Sequence, residues 1–132
     1  MQELLFKGKS DVYVGSIWIE GNSITQYESG EIAIFPKNIS KFGYDNQEIY
    51  KRVQIKPNTL CKYIGKNDMF GRKLFTNDVV KITINGVPIE VESKIEYKNG
   101  LYVIKCFDGS DIQIHRLDDY VNIEYLYNIF DD

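Results

Sequence analysis

Two Asn-Gly pairs, Asn85-Gly86 and Asn99-Gly100, bracket a stretch in which two sets of side chains alternate from Val87 to Lys98. Val87, Ile89, Val91, Ser93, Ile95 and Tyr97 fall on one face, and Pro88, Glu90, Glu92, Lys94, Glu96 and Lys98 on the other, as the two-residue repeat of a strand requires. Such a strand has one wet face. Asn-Gly favours the consecutive positive φ angles of a tight hairpin turn, so Val79–Ile84, Val87–Tyr97 and Leu101–Phe107 are predicted to form a three-stranded meander. Asp108-Gly109 turns the chain again into Ile112–Leu117, and the alternation of Val121, Ile123, Tyr125, Tyr127 and Ile129 predicts a last strand. Five short strands after Phe75 fit a small SH3-like barrel, a bent sheet folded over a compact core that protects its own edges.

The first half is less regular. Val12–Glu20 reads as a strand, Gly21-Asn22 as a turn, Ile24–Glu28 as the strand returning from it, and Ser29-Gly30 as punctuation before Glu31–Phe35. Pro36–Arg52 mixes charges, Asn, Gly and aromatics without a period and reads as a long loop with a short helical turn, the boundary between two lobes. The expected fold is therefore mainly β, with an N-terminal β lobe and loop over residues 1–52 and an SH3-like barrel lobe over 53–132, within reach of one compact domain at 132 residues. Ten Tyr and seven Phe suit pleated, half-buried surfaces.

The residues that could carry chemistry are few. Cys61 and Cys106 lie far apart in apolar surroundings, and His115 is the single histidine, too little for a zinc site. Both thiols read as small buried hydrophobes, with a disulfide disfavoured in a reducing compartment. Asp68 and Gly71, in KNDMFGRK, lack the further acidic ligands of a calcium loop and read as a turn in which the aspartate bonds nearby backbone and the glycine takes positive φ. Asp78 reads as the cap of the turn before VVKITI, and His115 as structural or exposed. There is no nucleophile elbow, phosphate-binding glycine loop or metal-ligand pair, so no catalytic residue, metal or cofactor is expected. No apolar run nears the roughly 20 residues of a membrane span, and the start lacks a leader pattern, which points to the cytoplasm.

Charge is unevenly spread. Lys37 to Lys73 holds nine Lys or Arg against Asp45, Glu48 and Asp68, a local +6 in a chain of net −3. Solvated lysines on strand faces account for this most simply, but with the aromatics around them they also suit a contact surface. Trp18 and Phe35 read as core. Lys41, Phe42, Tyr44, Tyr50, Lys51 and Arg52, in a polar loop, are the candidate partner-binding residues. Their partner is expected to be a protein, a host factor or a second copy of the chain, and the alternative is a nucleic-acid-binding module using the basic, aromatic 37–73 region.

Three stretches together resemble the YopX family of phage and prophage proteins. LLFKGKSDVYVGSIWIEGN is similar to the family's opening, a Phe-Arg-Gly-Lys-like element followed by Trp or Tyr and Gly before a strand, with Lys7 in place of Arg. Between Val53 and Ile82, the residues Ile55, Pro57, Thr59, Tyr63 and Gly65, then Asp68 and Gly71, then Phe75, Asp78, Val79 and Val80 match the family's pattern, with Lys62 where it often has Gln and Asn77 where it usually has Gly. The end, IEYLYNIFDD, is similar to the family's terminus. The resemblance implies a mainly β protein encoded by a phage or prophage and working in the bacterial host, and it carries no enzymatic activity onto these residues.

Overall fold

The computed structural model describes residues 4–10, 17–36, 52–88, 92–106, 111–113 and 121–131. Regular structure among them is β throughout, apart from a single 3-10 turn over Pro57–Thr59. The chain divides into two compact units, Met1–Lys62 and Tyr63–Asp132.

In the first unit, β1 (Phe6–Ser10) pairs antiparallel with β2 (Ile17–Gly21), Phe6 opposite Gly21 and Lys9 opposite Trp18. The strands β3 (Ser23–Gln26) and β4 (Ile32–Phe35) form a hairpin, and β5 (Val53–Ile55) pairs with the other edge of β4. Ile19, Ile32, Ile34, Val53 and Ile55 make the core of this unit, each contributing about 2 kcal/mol by leaving water. The 3-10 turn is tied to β1 twice: Lys9 N–H donates to Thr59 Oγ1 (2.9 Å) and Lys56 N–H donates to the Lys9 carbonyl (2.8 Å).

Gly21-Asn22 does not fold β3 back onto β2 as the sequence suggested, because β3 takes β4 as its partner and β2 takes β1. Gly21 is where the chain changes partners. A methyl group there would run into the Phe35 carbonyl oxygen and lie 2.6 Å from Ile34 Cγ2, so the crossing admits only a residue without a side chain. Gly21→Ala should therefore cost about 2 kcal/mol in urea unfolding, and an unchanged midpoint would show that the strands separate freely at this crossing.

The strand β6 (Cys61–Asn67) begins in the first unit, where Cys61 and Lys62 pair with β1, and ends in the second, where Tyr63 and Asn67 pair with β7 (Lys73–Phe75). There follow β8 (Asp78–Ile84), the two-residue β9 (Val87–Pro88), β10 (Ser93–Lys98), β11 (Leu101–Cys106), β12 (Asp111–Gln113) and β13 (Val121–Asn128). Their order is β12-β11-β10-β8-β13, with β9 paired to β8, so the first long strand lies between the second and the last. This is the five-stranded antiparallel sheet of the expected SH3-like lobe. Asn85-Gly86 (φ 51° and 79°) and Asn99-Gly100 (φ 53° and 81°) form the predicted turns. Ile64, Leu74, Val80, Ile82, Ile95, Ile104 and Ile123 fill the core.

Two details differ from simple alternation. On the strand face that starts at Val87, Ser93 and Ile95 are buried while Val87 and Tyr97 are exposed, Tyr97 resting edge-on against Tyr102 at 5.1 Å. In β13 the register shifts between Tyr125 and Tyr127, which turns Asn128 inward and leaves Tyr127 and Ile129 exposed. Cys61 and Cys106 are buried free thiols, as expected. No helix among the described residues is long and apolar enough to cross a membrane.

Candidate contact surface

Between β6 and β7 the chain turns through Asp68–Arg72, and one buried carboxylate organises the turn. Oδ1 of Asp68 accepts from the amides of Phe70 (2.9 Å) and Arg72 (2.8 Å), and Oδ2 accepts from Arg72 Nε (2.9 Å) and the amide of Tyr125 (3.0 Å). Four donors use the four lone-pair positions of a carboxylate, so Asp68 has none left for a ligand. Burial pushes its pKa up and is the largest single influence, but the amides of Tyr125, Arg72 and Phe70 with the Arg72 guanidinium together outweigh it and hold the group below its ordinary 3.8. Gly71 takes φ 84°, and Asp68 N–H donates to the Arg72 carbonyl at 2.7 Å.

The same turn lies along β13. Met69 N–H donates to the Ile123 carbonyl (2.8 Å), which together with the Tyr125 amide on Asp68 occupies the side of β13 away from β8. An open strand edge is thereby covered. The side chains at the tip point outward: Met69 is 53% and Phe70 64% exposed. Behind them the Arg72 guanidinium stands 5.5 Å from the Phe70 ring and 5.4 Å from the Tyr125 ring. The Tyr125 hydroxyl donates to Asp131 Oδ2 (3.2 Å). Burial first, then the Asp131 and Asp78 carboxylates, push its pKa up to about 12, so it keeps its proton.

Of the candidates read from sequence, Lys41, Phe42, Tyr44, Tyr50 and Lys51 lie outside the described residues, as does His115; Arg52 is exposed, one residue before β5. Trp18 is half-buried on the strand face opposite Ile17 and Ile19, apart from the apolar cluster. The lysine amines of Lys7 and Lys9 stand 4.5 Å and 5.1 Å from its ring, and both lysines are buried there. The two-residue repeat forces this, since Lys7 and Lys9 share one face of β1 and Lys9 is paired with Trp18.

Asp78 caps its turn as expected, accepting from the Phe75 amide at 2.7 Å, and it also accepts from Asn128 Nδ2 at 2.8 Å. Sequence reasoning found Asp68 and Gly71 but missed Phe70, Arg72 and Tyr125 as a surface, because the stack joins residues more than fifty positions apart. The one available signal was KNDMFGRK itself, which places two large apolar residues at the tip of a predicted turn. Among the described residues no group of three or more His, Cys, Asp or Glu could hold a metal ion.

A family model described as YopX protein matches residues 10–132, and the chain belongs to the YopX family. No curated protein matches it.

Proposed function

We propose that this YopX-family protein is a non-enzymatic accessory factor of a phage or prophage, working in the cytoplasm of the bacterial host by docking another protein on the tip of the Asp68 turn. The observation that carries this reading is the exposure of Met69 and Phe70 on a turn fixed by four hydrogen bonds to one carboxylate. A turn whose backbone is already fixed has no loop-ordering cost to meet when a partner covers the large apolar side chains it presents, which favours an interface hot spot. The Asp68 carboxylate, held below its ordinary pKa, is saturated by backbone and arginine donors, which fits a structural task better than acid–base work.

Phe70→Ala should leave stability within about 0.5 kcal/mol of wild type, as surface substitutions do. It should also remove whatever protein the wild-type chain retains from a host lysate. Equal recovery by both, or no recovery by wild type together with a strictly monomeric mass in light scattering, would overturn the reading. A salt-sensitive gel shift of DNA or RNA unaffected by Phe70→Ala would move the function to nucleic acid instead.

A further inference from the structure

We infer that Arg72 reads a carboxylate on that protein partner, a single Asp or Glu of an exposed segment whose neighbouring aliphatic side chain settles on Met69 and Phe70. The inference rests on the docking reading above and adds the chemistry of the occupant. Arg72 spends only Nε on Asp68, and its side chain is 48% exposed. Its terminal amino groups make no hydrogen bond among the described residues, so the outer fork of the guanidinium is open. A planar fork matches the two oxygens of a carboxylate in a way a lysine ammonium cannot.

The fork is also held still. Nε is anchored on a buried carboxylate, and the guanidinium stands 5.5 Å from the Phe70 ring and 5.4 Å from the Tyr125 ring, so less rotamer freedom remains to be lost on binding. A phosphate backbone offers the same oxygens, but the surroundings disfavour a polyanion. The unit Tyr63–Asp132 holds twelve Asp or Glu against eight Lys or Arg, and the hydroxyl of Tyr125, whose ring the guanidinium faces, is hydrogen-bonded to Asp131. One carboxylate with an apolar neighbour suits an open fork beside two exposed apolar side chains.

The test is a titration of the isotope-labelled full chain, followed by its amide and Arg72 Nε–H resonances. The probes are the blocked tripeptide acetyl-Leu-Glu-Leu-amide, its Leu-Gln-Leu counterpart and an oligothymidylate. The Glu peptide should shift the resonances of residues 68–72 and Tyr125 and bind roughly fivefold more tightly than the Gln peptide, the difference between charged and neutral hydrogen bonds. Arg72→Lys, with its fold verified by its amide spectrum, should lose that preference, whereas Phe70→Ala should weaken both peptides alike. Equal binding of the two peptides, a Glu preference that survives Arg72→Lys, or no shift with either peptide would overturn the carboxylate assignment, as would stronger shifts with the oligothymidylate. None of these bears on whether Phe70→Ala loses protein capture, so the docking reading is judged separately.

Discussion

Replacing Asp68 by alanine is expected to lower stability by about 3 kcal/mol and the thermal midpoint by about 10 °C, far more than a residue in an exposed turn ordinarily costs. The side chain is 6% exposed as a residue and is the common acceptor for Phe70, Arg72 and Tyr125. Its loss leaves those amides to find water and releases the cover on β13. Asp68→Asn is no rescue, because one end of a carboxamide is a donor and would face either the Phe70 and Arg72 amides or Arg72 Nε and the Tyr125 amide. The effect also has a signature in pH. The folded carboxylate titrates below its ordinary 3.8, so unfolding takes up a proton in acid. Its contribution is complete above the ordinary value and fades as pH falls through the lower, folded one. The gap between wild type and Asp68→Ala in urea unfolding should thus be constant at neutral pH and narrow below about pH 4. A gap that stays constant into acid, or one under about 0.5 kcal/mol, would remove Asp68 from the centre of this turn. Lysate capture should fail in the variant too, since Met69 and Phe70 would no longer be held in place.

What the sequence disclosed and what it concealed follow from how local each interaction is. Asn85-Gly86 and Asn99-Gly100 specify their hairpins within four residues, and β10 and β11 pair as the alternation implied. Asp68 and Asp78 were legible as turn residues because their backbone partners lie two to four positions away. The family position that usually holds Gly is Asn77 here, and it has φ 72°, a conformation Gly and Asn share. By contrast, the pairing of Val53–Ile55 with β4 crosses the whole 36–52 stretch and left no local trace. The strand β1 carries no apolar alternation to mark it, because Lys7 and Lys9 occupy one of its faces, and both are buried beside Trp18. In β13 the bulge at Leu126 defeats a strict two-residue count, so Asn128 took the inward place that alternation gives to Ile129. The contact surface was the least visible, since exposure of Phe70 and stacking of Arg72 on Tyr125 are properties of the folded chain.

Asp78→Ala should cost about 3 kcal/mol in the same unfolding measurement, by a mechanism separable from that of Asp68. Asp78 is fully buried at the head of β8 and is paired with Asn128 at the tail of β13. Its two oxygens join the turn before β8, through the Phe75 amide, to the side chain of Asn128. Asn128 in turn accepts from the Phe130 amide at 3.0 Å and donates its own amide to Asp131 at 2.9 Å. The paired ends of β8 and β13 are thereby stitched by side chains where the backbone ladder runs out. If that stitch is a unit, Asp78→Ala and Asn128→Ala will not add: the double variant should fall short of their sum by about 1 kcal/mol or more. Additivity within about 0.3 kcal/mol would mean that each residue serves its own turn and that β8 and β13 are held by the ladder alone. Asp78→Ala should also leave the hydrogen bonds around Asp68 intact, so at a temperature where the variant stays folded it should retain lysate capture, while Asp68→Ala, at equal thermodynamic cost, should not.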